Sequence, residues 1–263
     1  MRAVRRHTTC SWALLYISRW LRAPAQLADG TLIERTRGTP QGGVVSPVLA
    51  NLYLHYAFDR WMEREHRDIP FERYADDVIC HCSSEAQAAQ LKSAIDQRFA
   101  AFRLELHPQK TKIVYWKKKG RKNVYAAVQF DFLGYGFQPR LVRRKDGIIF
   151  VSYTPAISQK AAKSIRKEMR SWRVHRWSDL SISDIAKVVN PSLRGWINYY
   201  GNYTRSALYR IFEHFNTYFL RWAMMKYKTL RGRRRRAREW VRGVQRREPH
   251  LFAHWSMLGK PAR

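Results

Sequence analysis

Residues 71–80 read FERYADDVIC, and this stretch constrains the fold more than any other part of the sequence. Two adjacent carboxylates, Asp76 and Asp77, separate two short runs rich in aromatic and β-branched residues, which favour strands. The pattern predicts a strand, a tight turn that carries both acids, and a second strand. Carboxylate oxygens are ligands that Mg²⁺ prefers, so the turn is a candidate metal site. The alternative is a solvated hairpin turn, because Asp is common in turns for conformational reasons alone.

Charge is the second constraint. The 263 residues include 50 Lys and Arg against 20 Asp and Glu, a formal net charge of +30 that is typical of nucleic-acid-binding proteins. The hydrophobic fraction of 45% is enough for one large domain or two modest ones. No apolar run approaches the length of about 20 residues that spans a bilayer, so we expect a soluble cytoplasmic protein with no membrane partner, associated with RNA or the nucleoid.

The three cysteines do not indicate a metal or disulfide framework. Cys10 stands alone, and Cys80-His81-Cys82 lacks a second ligand pair at zinc spacing.

A glycine-rich loop, RGTPQGG at 37–43, precedes the acidic hairpin. Its glycines allow another chain to approach the backbone closely. Ser46 and Pro47 then predict the start of a helix, with Ser46 as N-cap, and the apolar residues at 48–62 predict that this helix packs on a sheet. A helix N-terminus behind such a loop can hold phosphate, although Gly and Pro also punctuate ordinary loops.

Periodicity and turn signals place the remaining elements. Helical spacing predicts helices over residues 4–22, 84–102, 159–172, 183–189 and 209–230. Strand signals predict hairpins around Asp29-Gly30 and Asp146-Gly147, a short strand with a close-approach glycine at 130–135, and a strand pair broken by Pro108 at 104–115.

Two stretches near the carboxyl end could contact nucleic acid. Residues 190–203 contain Trp196, Tyr199, Tyr200 and Tyr203, which are more often core residues than base-stacking platforms. Residues 231–238 read RGRRRRAR, with no acid before Glu239, and are candidates for phosphate contact; the alternative is a solvated charged tail.

Several motifs stand in an order that resembles the group II intron reverse transcriptase/maturase family. They are RGTPQGG at 37–43, YADD at 74–77, HPQKTK at 107–112, FLGY at 132–135 and the thumb-like stretch 191–200. The resemblance covers nearly the whole chain. It implies an RNA-directed DNA polymerase and intron maturase whose partners are group II intron RNA, an RNA template with a DNA primer, and dNTPs.

The resemblance also implies roles for particular residues. Asp76 and Asp77 would be catalytic and would bind Mg²⁺. The nucleotide and template pocket would involve Gln41, Gly42, Gly43, Tyr74, Ala75 and Lys110. We assign RNA binding to Arg194, Arg231, Arg233, Arg234, Arg235, Arg236 and Arg238.

The expected fold is α+β, a partial right-hand polymerase palm with an antiparallel sheet and packed helices, followed by an all-helical thumb. We expect the palm over residues 1–136, a connecting hairpin over 137–154, the helical thumb or maturase-specific domain over 155–230 and a basic segment over 231–263.

One departure from the family concerns a further metal-binding aspartate on an earlier palm strand. The acids before the glycine loop, Asp29 and Glu34, lie in or beside the expected surface hairpin, and the fingers motifs are not found. We therefore expect an amino-terminally shortened copy with a possible complementing amino-terminal fragment. The alternatives are a non-catalytic RNA-binding splicing cofactor, which needs no third carboxylate, or an inactive remnant.

Overall fold

The computed structural model describes residues 1–34, 38–39, 42–116, 125–144 and 146–258. Its contacts divide the chain into two units, Met1–Ile113 and Val114–Arg263. Both units combine helices with small sheets, and every described strand pair is antiparallel. The expectation of a mixed α+β chain with antiparallel sheets is therefore confirmed.

The first unit packs helices against a hairpin. Its elements are α1 (Arg2–Arg5), α2 (Ser11–Arg22), β1 (Ala25–Gln26), β2 (Leu32–Ile33), α3 (Ser46–Leu54), a π-helical turn (His55–Asp59), α4 (Arg60–Glu65), β3 (Phe71–Tyr74), β4 (Asp77–Cys80) and α5 (Glu85–Ala101). Phe58, Trp61 and Met62 form the buried core with Leu91, and Phe71 of the hairpin packs against them. The predicted packing of an apolar helix on a sheet is confirmed.

Local signals predicted the β1–β2 hairpin and α5 of this unit, whereas the single helix predicted over residues 4–22 is two helices, α1 and α2. The β1–β2 hairpin forms around Asp29, whose carboxylate accepts a hydrogen bond from the Thr31 amide at 3.0 Å. The hydroxyl of Ser84 caps α5 by accepting from the Gln87 amide at 3.1 Å. At α3, however, Ser46 is already helical and Val45 is the N-cap, so the predicted serine cap is wrong by one position.

The strand pair predicted over residues 104–115 is also wrong. Throughout this fully described segment the chain is irregular, with a turn at 108–110. The carbonyl of His107 accepts hydrogen bonds from the amides of Lys110, at 3.2 Å, and Thr111, at 2.9 Å. Pro108 has no N–H to donate and favours a turn. The two bonds to the His107 carbonyl therefore close a turn where a strand ladder was expected.

The second unit places a small sheet before a helical core. Its elements are β5 (Phe130–Phe132), β6 (Tyr135–Phe137), β7 (Arg140–Arg143), β8 (Ile149–Ser152), β9 (Ala156–Ile157), α6 (Gln159–Ser171), α7 (Ile182–Tyr200), α8 (Tyr209–Lys226), α9 (Arg234–Arg247) and α10 (Ala253–Leu258). The strands β5, β6 and β9 form one sheet in that order, and β7 pairs with β8 as predicted around Asp146-Gly147. The stretch 130–135 was expected to be one strand, but Leu133 and Gly134 have positive φ angles of 50° and 77° and turn it into a tight hairpin.

The helix α7 runs through Pro191, where sequence reasoning ended a helix at residue 189. Val189 and Leu193, on either side of the proline, are buried in the core. Between them the Asn190 amide donates to the Leu251 carbonyl at 2.9 Å, and its oxygen accepts from the Ala253 amide at 2.9 Å. These tertiary contacts hold both halves of the helix in place despite the proline.

The carboxyl-terminal stretch folds onto the same core. Ala237, Val241 and Val244 of α9 and Phe252 and Trp255 farther on are buried with the aromatic residues of α8. In the described part of the chain, no helix combines the length and the apolar character needed to cross a bilayer.

Candidate functional site

The acidic turn joins β3 to β4. Tyr74 pairs with Asp77, so Ala75 and Asp76 form the two-residue turn between them. Ala75 has a φ of 54°, in the left-handed region that favours glycine and costs an L-residue about 1–2 kcal/mol. Asp76 and Asp77 are both exposed. The predicted strand, turn and strand are confirmed, and the turn presents both carboxylates to solvent.

The two faces of the hairpin differ in what they contact. Residues paired across an antiparallel ladder share a face, so Phe71 and Cys80 point together to the core. Burial raises the pKa of Cys80 to about 12, with further increments from Cys82 and Glu72. On the opposite face Asp77 lies beside Tyr74, whose side chain is 64% exposed. The solvent face therefore combines a carboxylate with an accessible aromatic ring.

Arg73 holds the turn in position. Its Nε and Nη2 donate to the two carboxylate oxygens of Asp59 at 2.6 Å each, a bidentate pair that is 11% and 15% exposed. Its Nη1 donates to the Asn51 side-chain oxygen at 2.8 Å and to the Ala75 carbonyl at 2.9 Å. One guanidinium thus ties the turn backbone to α3 and to the π-helical turn.

The electrostatics of the Arg73–Asp59 pair favour its charged form. Burial alone would raise the pKa of Asp59, but the hydrogen bonds and charge of Arg73 outweigh it and leave that pKa lowered. The bond to Asp59 is the main cause that raises the pKa of Arg73. Asp59 is the last residue of the π-helical turn, an irregularity that often accompanies functional sites.

Arg73, Asp59 and Asn51 were not singled out from the sequence. They lie far apart in the chain and carry no motif that links them. The available signal was the inward position of Arg73, three residues before Asp76 on an otherwise apolar strand face, which predicts a buried partner for its charge.

Only some of the residues predicted to form the nucleotide and template pocket lie together in the structure. Tyr74, Ala75, Asp76 and Asp77 come together at one turn, whereas Gln41 lies outside the described residues. Gly42 has a φ of 85°, and the carbonyl of Gly43 accepts from the Ser46 amide at 3.1 Å at the start of α3. Lys110 is exposed in the turn after α5, in the same unit. Within the described ranges, no cluster of three His, Cys, Asp or Glu side chains is placed to hold a metal ion.

The second unit carries the basic surfaces. Arg231 and Arg233 precede α9, and the helix exposes Arg234, Arg235, Arg236, Arg238, Arg242, Arg246 and Arg247. The first turn of α9 has three arginines and no acid, which is the reverse of the arrangement that the helix dipole favours. A bound phosphate would offset this unfavourable charge.

A second basic face lies on α6 and was missed from the sequence. Ala162, Ile165 and Met169 are buried on one side of this helix. The opposite side exposes four cations at helical spacing: Lys160, Lys163, Lys167 and Arg170. The signal was available, because positions i, i+3, i+7 and i+10 share a helix face.

Arg194 is exposed on α7, as RNA contact requires. Trp196, in the same helix, stacks on Trp172, with ring centroids 5.6 Å apart and an angle of 12° between the ring planes. This aromatic residue therefore packs with the core.

Comparison with protein families identifies the class of protein. Residues 1–137, just over half of the chain, match the family described as reverse transcriptase (RNA-dependent DNA polymerase). Residues 162–240 match the group II intron, maturase-specific domain. The chain therefore belongs to the group II intron reverse transcriptase/maturase family, as the order of motifs indicated.

A fungal protein is also similar. The "Uncharacterized 91 kDa protein in cob intron" of Schizosaccharomyces pombe (strain 972 / ATCC 24843) is 26% identical in an alignment that covers 66% of this chain and 29% of that protein. The chain thus spans less than a third of the length of this relative.

Proposed function

We propose that this chain supplies the palm and thumb part of an RNA-directed DNA polymerase and intron maturase. In this role it binds group II intron RNA and extends a DNA primer on an RNA template by transfer of nucleotides from dNTPs. The observation that carries the polymerase role is the braced turn, which presents Asp76 and Asp77 to solvent beside the exposed ring of Tyr74.

The donor set of the turn suits Mg²⁺. This ion is usually bound by one or two carboxylates and completed by water and substrate phosphates, so two adjacent exposed carboxylates fit it. Asp76 and Asp77 would hold it, and the bound ion would supply charge neutralisation where a primer hydroxyl meets a triphosphate.

The residues around the turn position these carboxylates. Arg73 fixes the Ala75 carbonyl, which limits movement of the peptide that carries Asp76. Such fixing matters because a displacement of about 1 Å can cost about 100-fold in rate. The Tyr74 ring offers a flat apolar surface on which a sugar or base can pack next to Asp77.

A complete two-metal site needs a ligand from a further strand, because two carboxylates in one turn cannot hold two ions against a primer end and a triphosphate. We propose that a segment with fingers and an acidic palm strand, fused ahead of Met1 or added separately, completes the site. Primer extension by the purified chain should then be negligible alone and restored by that segment.

The test of this proposal uses two matched variants. Asp76→Asn with Asp77→Asn should abolish the restored extension, whereas Asp29→Asn, which alters an exposed acid in another turn, should leave it intact. Robust extension by the chain alone, dependent on both Asp76 and Asp29, would contradict the need for the added segment and would identify Asp29 as the completing ligand.

Metal binding can be tested without activity. Millimolar Mg²⁺ should raise the melting temperature of the wild-type chain and of Asp29→Asn but not that of the Asp76→Asn, Asp77→Asn variant. Without metal, the double variant should be as stable as the wild type or slightly more so, because adjacent like charges repel. An equal Mg²⁺ effect on all three proteins would place the metal elsewhere.

The basic faces of α6 and α9 favour a second function, RNA binding without catalysis, because such binding needs no carboxylate. The chain would then bind structured intron RNA and promote splicing without nucleotide transfer. In that case the Asp76→Asn, Asp77→Asn variant would retain full splicing activity, and extension would stay absent when the added segment is supplied.

A further inference from the structure

Four tyrosines gather where the β5–β6 hairpin meets the end of α7. The ring centroid of Tyr135 lies 5.4 Å from the centroids of Tyr199, Tyr200 and Tyr203. The rings of Tyr199 and Tyr200 are themselves 4.8 Å apart, nearly perpendicular. Tyr135 of the FLGY motif, two tyrosines at the end of α7 and Tyr203 just beyond it therefore build a single aromatic cluster.

The structure separates these aromatic residues by exposure. Trp196 is stacked on Trp172 and Tyr200 is half-buried, as expected of core residues. Tyr199 and Tyr203, in contrast, are 48% and 57% exposed. The core interpretation that the sequence favoured for the whole set does not hold for these two rings.

Hydrogen bonds and close packing fix the cluster. The Tyr199 hydroxyl donates to the Leu133 carbonyl at 2.9 Å, and the Tyr135 hydroxyl donates in return to the Tyr199 carbonyl. Gly134 permits the approach of Tyr200, since a Cβ at this glycine would lie 2.7 Å from the Tyr200 hydroxyl. The exposed ring of Tyr199 thus loses little freedom when a ligand binds, which favours affinity.

The surroundings of the exposed rings are polar and basic. Arg194, Gly195 and Asn198 lie with Tyr199 on the exposed side of α7, and nothing lies within 4 Å of a Cβ built on Gly195. Arg205 is exposed two residues after Tyr203. Flat aromatic faces, amide donors and guanidinium groups together match the bases and phosphates of an unpaired polynucleotide.

We propose that Tyr199 and Tyr203 form a stacking platform for unpaired bases of the bound RNA. Arg194 and Arg205 contact the phosphates on either side of the stacked bases. This assignment rests on the proposed RNA-binding function and adds a base-contacting site to the phosphate contacts of α6 and α9. Because every base has an aromatic face, the platform tolerates any sequence but requires single-stranded RNA.

The test measures binding of a single-stranded RNA that contains 2-aminopurine, a fluorescent base whose emission falls when it stacks. Tyr203→Leu alone should raise Kd at least about fivefold and reduce the quenching, since stacking on one ring contributes at least that factor. Tyr199→Leu with Tyr203→Leu should remove the quenching. Tyr203→Phe should keep both affinity and quenching, because the ring remains and the bond from the Tyr199 hydroxyl is untouched.

The control on the same helix is Val188→Ala, which alters a side chain that is 58% exposed and should leave Kd unchanged. A fully paired RNA duplex should bind the wild type and Tyr203→Leu equally, because its bases are already stacked. Equal affinity and quenching of wild type and Tyr203→Leu on single-stranded RNA would overturn the platform, as would an equal loss on the duplex. Absence of salt-dependent RNA binding in every protein, including wild type, would instead overturn the proposed RNA-binding function.

Discussion

Arg73 shows how one side chain positions a turn in which it does not itself lie. Its four hydrogen bonds reach Asp59, Asn51 and the Ala75 carbonyl. The donor is charged in all four bonds, and the two to Asp59 form a bidentate ion pair that is largely removed from water. The strain at Ala75 persists because this brace and the strand ladder hold the turn on both sides.

We expect Arg73→Gln to lower the free energy of unfolding by about 3 kcal/mol, because it leaves the Asp59 carboxylate largely buried without its partner. Urea denaturation would measure the loss. The matched control is Arg60→Gln, which breaks the Arg60–Glu63 pair; at 57% and 51% exposure that pair contributes about 1 kcal/mol or less. Equal losses in the two variants would show that Arg73 is not a structural brace.

At the scale of elements, α10 docks on α8 through one side-chain amide. Asn216 of α8 accepts hydrogen bonds from the His254 Nε2 at 2.8 Å and the Trp255 Nε1 at 2.9 Å. His254 is fully buried, and its Nδ1 has no hydrogen-bond partner among the described residues. Burial lowers the pKa of His254 to about 3, so the ring is neutral in the folded protein at neutral pH.

This burial predicts an acid-sensitive core. The unfolded chain takes up the His254 proton near its ordinary pKa of 6.5, and the folded chain only near 3. Stability should therefore be fully present above pH 6.5 and fall by about 1.4 kcal/mol per pH unit as the pH drops toward 3. His254→Gln should remove that part of the slope between pH 6.5 and 4.

The measurement is urea denaturation at a series of pH values. His250→Gln, a change at an exposed position four residues earlier, should keep the wild-type slope. A His254→Gln slope identical to wild type would mean that the ring takes up its proton without disrupting the fold.

At the scale of the whole molecule, part of the excess of 30 positive charges lies on the exposed faces of two helices. On α6 the cations lie opposite the buried residues Ala162, Ile165 and Met169. On α9 the arginines lie opposite Ala237, Val241 and Val244. The buried apolar residues on one side of each helix thereby determine which of its cations face solvent.

RNA binding should depend steeply on salt, because each neutralised phosphate releases counterions. Changing Lys160, Lys163, Lys167 and Arg170 together to Gln should reduce the slope of log K against log salt by about 3 if all four contact single-stranded RNA. The control, Arg60, Arg64, Arg67 and Lys92 changed to Gln, removes the same charge from the first unit. Equal effects of the two variants would assign the slope to net charge and not to the α6 face.

Local sequence determined much of the chain. Paired acids between runs of aromatic and β-branched residues gave the β3–β4 hairpin, and Asp-Gly pairs gave the β1–β2 and β7–β8 hairpins. Apolar periodicity gave α5, α6 and α8 nearly to their ends. The order of the motifs gave the family. These features depend on residues within one turn, one strand pair or one helix, so a short stretch of sequence contains their cause.

Contacts between residues far apart in the chain could be identified only from the tertiary structure. The Arg73–Asp59–Asn51 brace connects a strand to two earlier helical segments, and Asn190 holds α7 through Pro191 by bonding to backbone 61 and 63 residues away. The exposure of Tyr199 and the partial burial of Trp196 depend on the neighbours of each ring, the β5–β6 hairpin for Tyr199 and Trp172 for Trp196. Each outcome follows from packing against partners that no local pattern specifies, because burial and hydrogen-bond satisfaction are properties of the assembled core.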